Sequence, residues 1–298
     1  MIRLAVRVRR EQAELVLAEL LELVPAGVEE LALGEETVEY AVYGSPGELP
    51  RLPDLNAAVG DALVEISTRE IPDGWDERWK SFHRPVLVQA PGSPQQGHAR
   101  LPSVRVRPPW EAPSARPAAE LQEIVIDPGQ AFGTGGHAST RLCLELLLEL
   151  ACDERRTGPL VDVGTGSGVL AIAAARLGFA PVLALDHERE SVEAAGANAA
   201  ANGVELEVRR FDLRAQALPW IDTTARAVGP VVVVANLLRP LLLELASTMA
   251  CAPGHLLAGG LLKEEVDETV AAFAGRLGLA ERQRRESDGW AAVWMSSS

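Results

Sequence analysis

The chain has 298 residues, 47% of them hydrophobic and 23% charged, which is ordinary usage for one large globular domain or two smaller ones. This composition excludes a disordered chain, a collagen and a small disulfide-stapled protein, and no apolar run is long enough to span a bilayer. The formal net charge of −14 disfavours direct nucleic-acid binding and favours a basic protein as partner. Three widely spaced cysteines and a start without a signal-peptide core predict a cytoplasmic protein without a disulfide framework or a metal site.

The first 70 residues predict a small ferredoxin-like α+β domain. Alternating apolar and charged residues open the segment, a leucine-rich run with helical spacing follows, and Gly34 marks a turn between two further strands. The order strand, helix, strand, strand, helix, strand is that of a ferredoxin-like unit. These six elements are predicted over residues 2–8, 11–24, 28–33, 38–43, 54–59 and 62–67. The fold hosts many functions, so it predicts none by itself.

Residues 71–118 predict a proline-rich linker between domains. Eight of the 20 prolines lie between Pro85 and Pro117, and proline both removes a backbone donor and fixes φ. Near the start of this segment, GWDERWKSF at residues 74–82 places three aromatic rings on one face of a helix. We interpret this face as packing between the domains; the alternative is a platform for the substrate.

Residues 119–298 predict a doubly wound α/β domain. Short apolar strands alternate with helices, which favours a mostly parallel sheet with helices on both faces. Strands are predicted over residues 160–163, 182–185, 206–210 and 231–235, and helices over 170–177 and 191–202. Because ligands of such sheets bind beyond the carboxyl ends of the strands, the residues that follow each strand are the candidates for the site.

A glycine-rich turn follows the first of these strands. In VDVGTGSG, Gly164, Gly166 and Gly168 let the backbone turn tightly and approach a ligand, and the next helix offers its N-terminal amides. A dinucleotide-binding fold would want its third glycine one position later, where Val169 stands, which disfavours an NAD(P) oxidoreductase. The pattern is similar instead to the turn of class I S-adenosylmethionine-dependent methyltransferases. A plain glycine turn is the alternative.

Two aspartates follow the next two strands. Asp186 ends the second strand, where its carboxylate could accept hydrogen bonds from both hydroxyls of a ribose. This residue supports a nucleoside-bearing cofactor without choosing among such cofactors, and its alternative role is to cap the following helix. Asp212, after the third strand, could reach the adenine amino group, and a solvated turn aspartate is the alternative.

A loop with four glycines, DPGQAFGTGGHAST at residues 127–140, precedes a helix predicted to start near Arg141. Its amides and hydroxyls could fold over a bound cofactor, and we include Phe132 among the cofactor-binding residues. Thr140 sits where a helix N-cap or a contact to a ligand carboxylate would fall. His137 could accept a proton, although a histidine that anchors the loop is the alternative.

An asparagine ends the fourth strand, in VVANLL. The side-chain carbonyl of Asn236 would lie at the ligand-binding edge of the sheet. Enzymes that methylate amines need such an acceptor, because a hydrogen bond from the amine N–H aims the nitrogen lone pair at the methyl group. We therefore predict Asn236 to be the catalytic residue that orients the amine. A turn asparagine is the alternative.

These motifs, in this order and with GWDERWKSF upstream, resemble the PrmA family of ribosomal protein methyltransferases over nearly the whole chain. DPGQAFGTGGH is similar to the family's cofactor loop, VDVGTGSGVLAIAAARLG to its cofactor-binding strand and helix, and VVVANLL to its segment around the asparagine. The resemblance implies methyl-donor contacts at Thr140, Gly164, Asp186 and Asn236. It also implies that the N-terminal domain recognises the substrate and that the linker lets this domain swing.

The chain departs from the family pattern at three places. Gly136 stands where the family usually has threonine, Ala138 and Ser139 stand where it has proline and threonine, and Arg239 replaces a small residue. The proline-rich segment is also longer than expected. These departures leave methyl transfer intact and affect the details of the cofactor loop.

We therefore predict a cytoplasmic, monomeric, metal-independent enzyme with S-adenosylmethionine as methyl donor. Its predicted acceptors are amino groups of the large-subunit ribosomal protein L11, a basic protein, with no need for nucleic acid or a membrane. One alternative is a related class I methyltransferase that acts on another protein or a small-molecule amine; the NPPY-like motif of nucleic-acid and release-factor enzymes is replaced by Leu237 and Leu238 after Asn236. A non-catalytic binding protein that keeps the fold is a further alternative.

Overall fold

The structure is a computed structural model in which contacts group the chain into two units, Met1–Phe82 with Gly129–Ala131 and His83–Pro128 with Phe132–Ser298. The domain boundaries expected at residues 70 and 118 stay a prediction. The structure describes residues 2–13, 16–17, 20, 28–32, 36–44, 49–50, 55, 59–70, 83–89, 103–116, 121–128, 133–152, 157–219 and 229–297. The aromatic segment at residues 74–82 lies outside this part of the chain.

The N-terminal unit holds a four-stranded antiparallel sheet of order β2-β3-β1-β4. One face of the sheet alternates Leu4, Val6 and Val8 along β1, all buried against apolar residues of neighbouring elements. The Tyr40 hydroxyl crosses this core and donates to the Ala13 carbonyl over 2.9 Å. The strands are β1 (Ile2–Arg9), β2 (Glu29–Ala32), β3 (Thr37–Gly44) and β4 (Leu63–Glu70).

This unit confirms the predicted ferredoxin-like domain, since the first strand lies between the third and the fourth. The helices predicted over 11–24 and 54–59 fall largely outside the described residues. The described residues between 13 and 20 are helical, as are Leu55 and Val59.

The C-terminal unit begins with a three-stranded sheet of order β5-β6-β7, in which β5 pairs antiparallel and β7 parallel with β6. Two of these strands lie within the proline-rich segment, so its described residues include paired extended chain. The strands are β5 (Val86–Gln89), β6 (Ser103–Arg107) and β7 (Gln122–Val125).

The main body of this unit is a seven-stranded sheet of order β10-β9-β8-β11-β12-β14-β13. The first five strands in that order are parallel, and β14 pairs antiparallel with both of its neighbours. This architecture confirms the predicted doubly wound, Rossmann-like methyltransferase fold. The elements are α1 (Ala138–Ala151), β8 (Leu160–Val163), α2 (Val169–Arg176), β9 (Val182–Asp186), α3 (Arg189–Asn202), β10 (Glu207–Arg210), β11 (Val232–Asn236), α4 (Arg239–Thr248), β12 (His255–Leu262), α5 (Val266–Leu277), β13 (Ala280–Ser287) and β14 (Trp290–Ser296).

Helices bury both faces of the large sheet. Successive residues of β8 alternate, so that Leu160 joins a core with α1 and α2, whereas Val161 and Val163 join a second core with α4 and α5. A sheet covered on both faces explains why its central parallel strands β9 and β11 are mostly apolar in the sequence, whereas the edge strand β10 is polar and largely exposed.

The helix predicted to start near Arg141 starts earlier, at Ala138, because the imidazole of His137 caps it. Two helices and three strands after β11 were not predicted, and the last two strands form the antiparallel edge of the sheet. Among the residues that the structure describes, no helix combines the length and the apolar character that a bilayer crossing requires.

Candidate functional site

The sheet reverses its winding between β8 and β11, because β9 and β10 extend it on one side of β8 and β12 on the other. Open α/β sheets bind ligands beyond the carboxyl ends of the strands at such a switch point. The residues that leave these ends are Gly164 after β8, Asp186 at the end of β9 and Asn236 at the end of β11. The topology therefore brings three of the predicted site residues to one edge.

The glycine turn is fixed to the neighbouring strand by its own backbone. The amides of Gly164 and Thr165 both donate to the Leu185 carbonyl, over 2.8 and 2.9 Å. Gly164 has φ of 74°, and a Cβ at this position would lie 2.3 Å from Cδ2 of Leu237. Gly168 has φ of 84° and approaches Ala195 of α3 so closely that a Cβ would lie 3.1 Å from its Cα. Glycine is therefore required here by conformation and by space.

The Asp186 carboxylate faces the glycine turn. One oxygen accepts from the Gly166 amide over 2.9 Å, and the other accepts from the Glu188 amide over 3.1 Å. The second bond orders the turn that leads into α3, for which Glu188 is the N-cap residue. Asp186 therefore lies at the predicted ribose position and also organises the start of the helix, so both roles considered from the sequence are compatible with its geometry.

Asp162 is a buried acid that the sequence reasoning did not select. It lies on β8 with no exposed surface, and one of its oxygens accepts from the Thr165 hydroxyl over 2.7 Å. The other oxygen has no hydrogen-bond partner among the described residues. Burial raises the pKa of this carboxyl to about 7, and the charge of Asp186 adds to the effect. An acid within the otherwise apolar strand LVDV was the available signal.

The Asn236 amide has one end fixed and one end unpaired. Its Nδ2 donates to the Oγ1 of Thr140, 3.3 Å away, and its Oδ1 is buried without a hydrogen-bond partner among the described residues. Gly259 on β12 leaves room for this oxygen, since a Cβ there would lie 3.2 Å from it. A buried unpaired acceptor costs free energy unless a donor reaches it. The geometry therefore suits a ligand that carries an N–H group.

Thr140 lies within the first turn of α1 and is fully buried, so it is not the N-cap residue, one of the two roles considered from the sequence. The N-cap is His137, whose Nδ1 accepts from the Ser139 amide at 3.3 Å and lies 2.8 Å from the Ser139 hydroxyl. The His137 ring stacks edge-on against Trp290, with centroids 4.7 Å apart. Burial lowers the pKa of His137, and the charge of Arg141 lowers it further. These contacts are those of a loop anchor, and proton acceptance by His137 stays a prediction.

Asp212 lies on the surface, in the turn after β10. Its Oδ1 accepts from the Arg214 amide over 2.9 Å, and its own amide donates to Gln216. These contacts fit a solvated turn aspartate, and the adenine contact stays a prediction. Phe132, the remaining predicted cofactor residue, lies outside the described residues. Within the described ranges, no cluster of three or more histidine, cysteine or acidic side chains is arranged to hold a metal ion.

Comparison with known proteins points to one family. The family model for "Ribosomal protein L11 methyltransferase (PrmA)" matches residues 56–297. A ribosomal protein L11 methyltransferase of Geobacter sulfurreducens is 35% identical over an alignment of 271 positions that covers 85% of this chain and 79% of the relative. One of Syntrophotalea carbinolica is 36% identical over an alignment of 311 positions, gaps included, that covers 94% of this chain and 92% of the relative. A crystal structure of a ribosomal protein L11 methylase from Lactobacillus delbrueckii subsp. bulgaricus matches with a TM-score of 0.53 and 29% identity, covering 67% of this chain and 96% of that one.

We expect Asp162→Asn to flatten the pH dependence of stability. The raised pKa means that the folded protein keeps a proton that the unfolded chain releases, so stability falls as the pH rises from the ordinary value of 3.8 toward about 7. The slope from this group is at most about 1.4 kcal/mol per pH unit. Urea unfolding of both proteins between pH 4.5 and 8 measures the difference, and parallel stability curves would contradict the assignment.

Proposed function

We propose that this chain, which belongs to the ribosomal protein L11 methyltransferase family, transfers methyl groups from S-adenosylmethionine to amino groups of ribosomal protein L11. It is a methyltransferase by family and by fold. The observation that carries the amine assignment is the buried, unpaired Oδ1 of Asn236 at the switch point of the sheet.

The site fits a methyl donor that carries a nucleoside. Gly164, Gly166 and Gly168 place no side chain at alternate positions of the turn after β8, and the Asp186 carboxylate is nearly buried beside this turn. Carboxylate oxygens suit the ribose hydroxyls, and the α2 N-terminus offers a positive potential. Thr140 lies in the first turn of α1, where its hydroxyl accepts from the Asn236 amide. We assign these residues to the donor, with Phe132 and Asp212 as further contacts.

When bound, the sulfonium of the donor supplies an electrophilic methyl carbon. Asn236 acts on the other reactant. Because its Nδ2 is held by Thr140 and its Oδ1 has no hydrogen-bond partner among the described residues, we assign Oδ1 to accept one N–H of the incoming amine. This hydrogen bond aims the nitrogen lone pair, and positioning of this kind accounts for much of the rate in a bimolecular transfer.

The amine must be neutral before it reacts. A lysine amine has an ordinary pKa of about 10.4 and an N-terminal amine one of about 7.7–8.0, and burial in the site lowers either value. His137 is the candidate proton acceptor. Its lowered pKa keeps its ring neutral at neutral pH, but its Nδ1 already interacts with Ser139, so we assign final proton removal to water.

Recognition of the protein substrate involves other parts of the chain. We assign recognition of ribosomal protein L11 to the N-terminal domain, residues 1–70, and the connection to residues 71–118. The net charge of −14 favours encounter with a basic protein and makes its rate fall with salt. The enzyme would act as a cytoplasmic monomer without a metal ion.

We expect Asn236→Ala to separate binding from chemistry. The variant should bind the methyl donor within about threefold of the parent, since Asn236 is one of several predicted donor contacts, whereas kcat should fall by about 100-fold, since the hydrogen bond that orients the amine is lost. Calorimetry with S-adenosylhomocysteine and a single-turnover methylation assay measure the two quantities. Near-normal turnover would remove the proposed role of Asn236.

We expect Asp186→Ala to weaken donor binding by about 100-fold, because both ribose hydroxyls would lose their carboxylate acceptor and be left desolvated. Asp212→Ala is a comparison from the neighbouring parallel strand, since Asp186 ends β9 and Asp212 lies in the turn after β10. Its donor affinity should fall by less than tenfold. If Asp186→Ala binds S-adenosylhomocysteine as tightly as the parent does, the ribose is held elsewhere.

We expect removal of residues 1–70 to abolish methylation of ribosomal protein L11. Donor affinity should persist, because all assigned donor contacts lie beyond residue 127. Labelled methyl transfer, located by mass spectrometry of purified ribosomal proteins, provides the measurement, and retained donor binding shows that the remaining chain is folded. Efficient methylation by the shortened chain would show that recognition lies outside the N-terminal domain.

A further inference from the structure

Helix α3 carries two buried asparagines, Asn198 and Asn202, one turn apart. Each is no more than 5% exposed, and each uses its side-chain amide to bind backbone outside the helix. Amides so deeply buried must find partners, because an unsatisfied one costs free energy. The two asparagines bind different backbone groups. This difference distinguishes a structural role for Asn202 from a functional role for Asn198.

Asn202 binds the three-stranded sheet of β5, β6 and β7. Its Oδ1 accepts from the Val125 amide over 2.8 Å, and its Nδ2 donates to the Val125 carbonyl over 2.6 Å. The side chain thus takes the place of a neighbouring strand at the end of β7. Its Nδ2 also donates to the Asn198 carbonyl within the helix. None of these bonds reaches the glycine turn.

Asn198 joins the glycine turn to the segment that follows β7. Its Nδ2 donates to the Ser167 carbonyl over 2.8 Å, and its Oδ1 accepts from the Asp127 amide over 3.0 Å. Ser167 stands between the second and third glycines of the turn. Its hydroxyl donates to the carbonyl of Gly133 over 2.6 Å. Asp127 and Gly133, on either side of residues 128–132, are therefore both tied to Ser167, one through Asn198 and one directly.

We propose that Asn198 is a positioning residue for the methyl donor: it holds the glycine turn, through the Ser167 carbonyl, against the backbone at Asp127. A turn with three glycines in the left-handed region is flexible by itself, so its conformation depends on hydrogen bonds with neighbouring residues. The Leu185 carbonyl accepts hydrogen bonds from the start of the turn. At its end, Asn198 binds the Ser167 carbonyl, and the Ser167 hydroxyl binds Gly133. This inference rests on the proposed function, because the donor is the ligand whose affinity it predicts.

The same substitution at both asparagines tests the proposal. Asn198→Asp keeps the acceptor for the Asp127 amide and replaces the donor to the Ser167 carbonyl with an oxygen. Asn202→Asp keeps the acceptor for the Val125 amide and loses two donor bonds, so it should destabilise the fold at least as much. We expect the Kd for S-adenosylhomocysteine to rise by about tenfold in Asn198→Asp and by less than twofold in Asn202→Asp, measured by calorimetry well below both melting temperatures.

Steady-state kinetics supply a second readout that a purely structural role would not move. Asn198→Asp should raise KM for S-adenosylmethionine and leave KM for ribosomal protein L11 unchanged. Should the buried carboxylate prevent folding, the pair Asn198→Ala and Asn202→Ala gives the same comparison without an added charge, and Ser167→Ala should weaken donor binding in the same direction.

Two results would overturn the proposal. If the Asn198 and Asn202 variants lose donor affinity equally, or if neither loses any, Asn198 is only a structural residue. In that case the parent enzyme still binds S-adenosylhomocysteine, and the proposed function stands. If the parent itself does not bind this nucleoside, the proposed function fails, and this inference fails with it.

Discussion

Two hydrogen bonds from the Gly164 and Thr165 amides to one carbonyl, that of Leu185, hold the candidate site together. They fix the end of β8 to the end of β9 and force the chain into left-handed backbone that only glycine adopts without strain. Once the turn has this shape, the Gly166 amide donates to the Asp186 carboxylate, and α2 begins at Val169 with Gly168 as its N-cap residue. The backbone conformation of the glycine turn thus determines where the side chains of the site lie.

The part of the candidate site formed by Thr140 and Asn236 depends on helix α1. The His137 cap sets where this helix begins, and that starting point brings Thr140 to the amide of Asn236. The same residues that anchor the helix thereby decide which face of the amide is left unpaired. A change in the cap would therefore reach the proposed amine site through Thr140, whose hydroxyl accepts from the Asn236 amide.

Sequence patterns predicted strands β8 to β11 closely, because β8, β9 and β11 are buried, mostly apolar runs that contrast with the segments between them. The strand predicted at 160–163 has these bounds in the structure, and the others differ by one residue at each affected end. The start of α1 was misplaced, since an imidazole is an uncommon N-cap and nothing local in the sequence announces it. The roles of Asn198 and Asn202 were missed because their partners, such as Asp127, lie about 70 residues away. Their signal was slight: two asparagines four positions apart in an alanine-rich helix.

The contact between His137 and Trp290 also has a bearing on biosynthesis. The ring that braces the beginning of α1 belongs to β14, a strand that the ribosome makes about 150 residues later, and β14 inserts between two other strands of the sheet. Translation proceeds from the N-terminus, and a strand cannot pair before it leaves the exit tunnel. A nascent chain therefore carries the glycine turn, Asp186 and Asn236 before the ring contact between His137 and Trp290 can form.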